Sequence, residues 1–477
     1  MATERNAIME KLNSTDLSDL DSSRMDLDRA FKVLSAKLPH YSDLWDYYDG
    51  NQPLMYTARR MAKLFEDLEM ASFSENWCAV VVDSANDKIN LNGFTCENRK
   101  ADQAIMEFWE NHNMALEAKD IHEAAQVIGE SYLLIWKNPE GESEIFYNDP
   151  RLAHLFYEPS NPRKKRYGAK WWVDAANHLR INLYYKDRLE YYRSDKQADK
   201  VTSIKSLQPF IPDGEADFSV ANPFGKVPFF HFRPERRIVK SDMANAIPLQ
   251  NGINKLITDL MVAAEFGAFK QRWIISNADT AKLVNAPNEI WEIPAGDGVG
   301  QSTQVGEFDA TPLTNYIEAI DHLATSMAII TRTPKHYLFQ QGGDPSGEAL
   351  IAMESPLNKR CEDHIQQFTP IWKEAMSFLM EINGVQVDPK EIAATFDKPE
   401  TIQPKTQAEI RAQGKTAGIP LKTLLRDEGK SDAWLDQMEK NRKEKKEAQA
   451  DNMGAALMEA IRSANQPTEA QNDPSED

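Results

Sequence analysis

Cysteine is scarce: Cys78, Cys96 and Cys361 are the only thiols among 477 residues. Three thiols so far apart give neither a disulfide framework nor the paired spacing of a zinc site, and they suit a reducing compartment. Positive charge is in deficit, with 55 Lys and Arg against 74 Asp and Glu and a formal net charge of −19. A protein that grips DNA tightly carries a basic excess, because affinity comes from releasing counterions from phosphates. The deficit argues against a tight DNA clamp, though not against a surface past which DNA moves. No apolar run approaches the roughly 20 residues needed to span a bilayer, so no membrane partner is expected. The opening residues MATERNAIMEKLNS lack the apolar core of a signal peptide, and none is expected.

Catalytic signatures are missing as well. There is no GxxxxGK[ST] phosphate loop, no HExxH and no GxSxG. GDGVG at 296–300 lacks a following helix and lysine and reads as a turn. His122 beside Glu123 reads as a helix-surface pair. Asp16, Asp19, Asp21, Asp26 and Asp28 lack the central Gly of a calcium loop and read as solvated helix starts. RKKR at 163–166 reads as a charged turn between strands, with phosphate contact as its functional alternative. Trp171 and Trp172 point to opposite faces of a strand, so at least one belongs to a core or an interface. The 10 Trp and 14 Tyr are scattered and form no stacking platform for single-stranded nucleic acid. The sequence predicts no catalytic residue, no metal site and no cofactor.

What is present describes a folded protein. Hydrophobic residues make up 41% and charged residues 27%, and the length exceeds one ordinary core, so two or more units are expected. The patterning predicts an α+β fold, mainly helical. Residues 1–75 read as helical, broken by the turn in YYDGNQPL at 47–54, and a further helix is predicted over 100–129. SYLLIWKNPEGESEIFYND reads as a hairpin turning at Asn138–Gly141, and 151–232 as an antiparallel meander closed by an edge or irregular strand in NPFGKVPFFHF. The period then becomes helical. Ile253, Leu256, Ile257, Leu260, Met261 and Ala264 form one apolar stripe on a helix predicted from the cap Ser241-Asp242 to Gly267. Short strands follow over 270–313. A helix over 314–331 carries Ile317, Ile320, Leu323, Met327 and Ile330 on one side, and Glu318, Asp321, His322 and Thr325 on the other. A long helix is predicted from Asp344 to Gly384, kinked at Pro356 and Pro370, and EIAATFD at 391–397 reads as a strand. Residues 404–465 are polar and helix-forming, and the last dozen are expected to be disordered.

Several stretches resemble the portal proteins of tailed bacteriophages, in particular the branch of long-tailed siphoviruses. They are YYDGNQPL, NWCAVVVDSANDKINLNGF, NPFGKVPFFHF, SDMANAIPLQNGINKLITDLMVAAEFGAF, WEIPAGDGVGQ and TRTPKHYL…GGDPSGEALIAMESPL, spread over 45–385 in the family's order. The resemblance implies a portal fold with a wing (1–240 and 347–400), a first stem helix (241–269), a clip (270–312) and a second stem helix (313–331). It further implies a channel loop (332–346), a crown (401–465) and a disordered tail (466–477).

The family assembles as a ring of about twelve subunits at one capsid vertex and passes double-stranded DNA during packaging and ejection. The implied partners are further copies of the chain, the terminase large subunit, a head–tail connector or adaptor protein, and the major capsid and scaffold proteins. The implied location is the virion, with assembly in the host cytoplasm. On this mapping Arg332, Lys335, His336, Gln340, Gln341, Gly342, Gly343 and Asp344 form the DNA channel loop. Ile253, Leu256, Ile257, Leu260, Met261, Ile317, Ile320, Leu323 and Met327 form the stem and subunit interface, covered only by neighbouring subunits. The residues themselves leave two other classes open: a nucleic-acid-processing enzyme with an unrecognised carboxylate metal site, and a capsid scaffold or adaptor without a channel.

Overall fold

Apolar positions along the first helix change partners halfway, and this organises the molecule. Helix α1 (Leu17–Asp49) places Leu27, Ala30 and Leu34 against a sheet, while Tyr41, Leu44 and Tyr47 pack into a helical cluster. Gly50, at φ +78°, ends it in a conformation that glycine adopts without strain. The computed structural model describes residues 17–52, 75–138, 141–268, 272–275, 304–309, 312–339, 346–400, 404–428, 434–435 and 437–446. It is a mixture of helix and sheet in two units, Met1–Pro399 and Glu400–Asp477.

In the first unit, α2 (Trp77–Asn86) is capped by Asn76, whose side chain accepts from the Ala79 amide. Strand β1 (Leu91–Cys96) pairs antiparallel with β13 (Ile392–Phe396), joining segments about 300 positions apart. The helix expected over 100–129 is two helices, α3 (Arg99–Asn111) and α4 (Met114–Ile128). Asn113 adopts φ +50° between them; Asn tolerates this left-handed turn, and the apolar period alone does not reveal it. Gly129 ends α4 at φ +102°, where a Cβ would lie 2.5 Å from the Lys240 carbonyl carbon.

The expected hairpin is β2 (Ser131–Lys137) with β3 (Ser143–Asn148), and β10 (Phe229–Phe232) joins β2 as an edge strand. The meander is β4 (Ala153–Glu158), β5 (Asn161–Val173), β6 (His178–Tyr185), β7 (Arg188–Gln197) and β8 (Leu207–Pro209), with β9 (Ser219–Ala221) also on β7. RKKR lies within β5 rather than in a turn. Lys165 and Arg166 are held extended there by partners on other elements, Glu374 and Asp26. Asp26 is accordingly buried, not a solvated helix start.

Helix α5 (Ile247–Ala268) begins later than the Ser241 cap predicted, because 242–246 form tight turns, with Ala244 N–H on Ser241 O and Ala246 N–H on Met243 O. Strands β11 (Arg272–Ile275) and β12 (Gln304–Glu307) pair, and Trp273 lies so close over Gly306 that a Cβ there would sit 2.5 Å from its ring. Helix α6 (Thr314–Thr331) has the predicted limits, and α7 (Lys335–Leu338) is a single turn. Helix α8 (Gly347–Ile382) runs through Pro356 and Pro370. Its cap is Ser346, whose hydroxyl accepts from Ala349 N–H, and not Asp344, which lies outside the described residues.

Trp372 and Phe368 of α8 form the centre of the main core, with Phe94, Trp109 and Phe232 around them. His122 belongs to this core and is not on a surface. It is fully buried, stacks on Phe368 at 4.7 Å, and accepts from Trp372 Nε1 at 2.9 Å. Burial pushes its pKa down to about 3, so the ring is neutral. In the second unit, α9 (Pro404–Thr416) is mostly exposed, α10 (Leu421–Asp427) buries Leu425, and residues 437–446 are helical. Residues 296–300 and 466–477, on which a turn and a tail were expected, lie outside the described residues.

Candidate functional site

The stripe on α5 meets the stripe on α6 within the same chain. At Gly252 the helices approach so closely that a Cβ would lie 3.3 Å from Leu323 Cδ1. Ile253, Ile320 and Met327 are buried there with Val81, Trp77 and Leu338, and Leu256, Ile257 and Leu323 are half-buried against the same cluster. Coverage of Ile253, Ile320 and Met327 is therefore intramolecular, which corrects the expectation that only neighbouring subunits cover the stripe. The reason is that α1 and α2, remote in sequence, fold over its first turns. Leu260, Met261 and Ile317 are half-buried outside that cluster. On α6, Ile329 is 72% exposed and Ile330 47% exposed, so Ile330 departs from the buried side on which the spacing placed it.

The polar face of α5 performs a task that the stripe did not suggest. Gln250 accepts from Trp77 N–H at 2.9 Å and donates to Glu75 O at 2.7 Å. Asn254 accepts from Glu75 N–H at 3.0 Å, and Tyr47 O–H donates to Asn251 at 3.0 Å. These bonds fasten the ends of α1 and α2 to the start of α5. Buried amides at positions 250, 251 and 254 on one side of an apolar helix were the available signal.

The segment expected to be the channel loop has a rigid root. Arg332 takes φ +55° and ends α6, with Thr333 N–H returning to Ala328 O at 3.1 Å. Arg360 of α8 donates to Thr331 O at 2.6 Å and to Val81 O, tying α8 to the end of α6 and to a middle turn of α2. Arginine at the carbonyl end of α6 also opposes the negative pole of the helix dipole. Lys335 Nζ lies 2.7 Å from Asp321 Oδ1, and Arg332 lies 3.4 Å from Asp363. Both cations thus have carboxylate partners in the same chain. His336 packs against Tyr337, whose hydroxyl donates to Glu354 at 2.9 Å, and Leu338 is buried. Gln340, Gln341, Gly342, Gly343 and Asp344 lie outside the described residues. Arg360 was missed because nothing local marks an arginine beside Leu357 and Cys361 as buried.

Among the described residues no group of three or more His, Cys, Asp or Glu could hold a metal ion, and no helix is long and apolar enough to cross a membrane. Cys78 is buried, and burial pushes its thiol up to about 12, far from nucleophilic use at neutral pH. The arrangement is one of packing and anchoring.

Comparison with known proteins agrees with that character. The profile of the family described as "Phage portal protein, SPP1 Gp6-like" matches residues 28–451, and the chain belongs to this family of phage structural proteins. It is 25% identical over 376 residues to the portal protein of Mycobacterium phage L5, covering 71% of this chain and 72% of that one. To the portal protein of Mycobacterium phage D29 it is 25% identical over 396 residues, covering 75% and 76%. It is accordingly a structural portal protein of the phage head–tail connection and not an enzyme.

Proposed function

We propose that the chain assembles into a closed ring of about twelve copies at one capsid vertex and forms the channel through which double-stranded DNA enters and leaves. The observation that carries this is the α5–α6 pair. Its upper turns are covered within the chain, while Leu260 and Met261 stay half-buried and Ile329 and Ile330 stay exposed. Apolar surface of this kind on one long-helix pair calls for a cover, and a neighbouring copy in a head-to-tail ring supplies it. In this reading α5 and α6 are the stem, 270–312 the clip, 332–346 the channel loop, and 401–465 the crown. The elements of 1–240 and 347–400 are the wing.

The clip would dock the terminase large subunit during packaging and the head–tail connector afterwards, with capsid and scaffold proteins around the wing. The channel residues need not hold DNA. Lys335 and Arg332 face carboxylates, and the net charge of −19 keeps phosphates from binding firmly, so DNA can slide. The packaging energy then comes from a separate ATPase. The test is immunogold labelling of intact phage and of procapsids with an antibody to the folded chain. Label at a single vertex supports the proposal, and label over the whole shell or on no particle contradicts it.

A further inference from the structure

The RKKR stretch of β5 has a place in the fold that the channel does not use. Two adjoining cavities of about 340 Å³ and 440 Å³ share Tyr157, His231 and Arg233, the first between β5, the segment after β10 and helix α8, the second between α1, β4 and the same segment. Arg163 and Arg236 line the first cavity, Arg29 lines the second, and Arg233 lines both. Among the described residues no carboxylate stands within ion-pair distance of these guanidinium groups. Arg29 instead lies 5.6 Å from the Phe156 ring.

The other charges of the cleft are balanced. Lys165 Nζ is 2.6 Å from Glu374 Oε1. Lys37 pairs with the buried Glu130, which also accepts from Tyr41 O–H at 2.8 Å and from His231 Nε2 at 3.1 Å. His154 adds no charge, because its Nδ1 faces two donors, Lys37 Nζ at 2.7 Å and Tyr132 O–H at 2.9 Å, and must accept. What remains is an excess of arginine converging on half-enclosed space, in a chain whose net charge is −19.

We propose that this cleft binds a phosphate group, with Arg233 as the central ligand and Arg163, Arg236 and Arg29 around it. A guanidinium fork matches two phosphate oxygens, and a phosphate carries enough charge to neutralise several forks where a single carboxylate does not. The cavity sizes fit a phosphate together with part of the molecule bearing it. Two sources supply that chemistry: a free phosphate compound, or the backbone of nucleic acid outside the channel. The proposal does not depend on the ring or on the assignment of the loop.

The experiment is calorimetric titration of the full chain at low salt with pyrophosphate and, separately, with a short DNA duplex. Wild type, Arg233→Gln and the double variant Arg163→Gln with Arg236→Gln are compared, each checked for native circular dichroism. Saturable binding of either probe is expected, weakened about tenfold by each variant, as for loss of a charge-assisted bidentate contact. Binding of pyrophosphate identifies a free phosphate ligand, and binding of duplex alone identifies the nucleic-acid backbone. If Arg233→Gln fails to fold, the double variant decides, since Arg163 and Arg236 are exposed. Absence of binding to both probes, or binding that the folded variants leave unchanged, overturns the proposal.

Discussion

Arg360→Met tests how the C-terminal end of α6, the root of the proposed channel loop, is held. The arginine is 8% exposed and donates to Thr331 O and Val81 O, so one side chain of α8 fixes the end of α6 and a turn of α2. A hydrogen bond from a charged donor contributes about 1.5–3 kcal/mol. The two contacts are not equal. Val81 O also accepts from Ser84 O–H at 3.2 Å, whereas Thr331 O belongs to the last residue of α6, beyond which no helical N–H follows to bond it. Counting the Thr331 contact in full and the Val81 contact in small part gives about 3 kcal/mol, which is roughly a hundredfold in a local opening equilibrium. The assay is amide hydrogen exchange by mass spectrometry, reading peptides over 328–339 against a control in the β6–β7 meander. Exchange near Thr331–Thr333 should accelerate about a hundredfold while the control stays fixed, and Arg360→Lys, which keeps charge but loses the fork, should fall between. Exchange within about twofold of wild type in Arg360→Met would show that the loop root is held by packing alone.

Four further variants probe α5, the core and the loop. Ile253→Asp places a carboxylate in a fully covered position and should cost several kcal/mol, leaving no folded chain. Leu260→Asp, outside the core cluster, should keep native circular dichroism yet fail to assemble, as read by light scattering; normal assembly by that variant would mean those turns face no neighbour. His122 takes up a proton near pH 6.5 when unfolded but only near pH 3 when folded, so its stabilising effect is complete above pH 6.5 and is lost as pH falls toward 3. His122→Gln should therefore flatten the acid dependence of the unfolding free energy, read from urea titrations, between those limits by about 1.4 kcal/mol per pH unit, and an unchanged slope would refute the buried neutral ring. Gly342→Pro with Gly343→Pro restricts φ at positions chosen by the sequence for freedom; procapsids carrying it should assemble normally but package slowly or short of full length, and wild-type packaging would remove the loop from DNA contact.

Where the signal was local, the sequence was a sufficient guide. The hairpin at Asn138–Gly141, strands β6 and β7 and both limits of α6 follow from turn chemistry and from periods of two and 3.6 residues. The stripe Ile253–Met261 was equally legible as apolar. Which part of it the chain covers by itself was not, because the cover comes from Trp77, Val81 and Leu338. His122 looked like a surface residue for the same reason, since its partner Trp372 lies 250 positions away. The break at Asn113 carries no Gly or Pro to announce it. The convergence of Arg29, Arg163 and Arg233 joins α1, β5 and the segment after β10, and no spacing rule connects those positions. At the root of the proposed loop, Arg332 and Lys335 face Asp363 and Asp321 rather than being left free.

The central claim is that this chain closes into a ring around a channel, and class averages of the purified full chain in negative-stain electron microscopy test it most directly. The account predicts closed, rotationally symmetric rings of about twelve copies with a central hole wide enough for a DNA duplex. Monomers, or assemblies whose averages show no central hole, would contradict it.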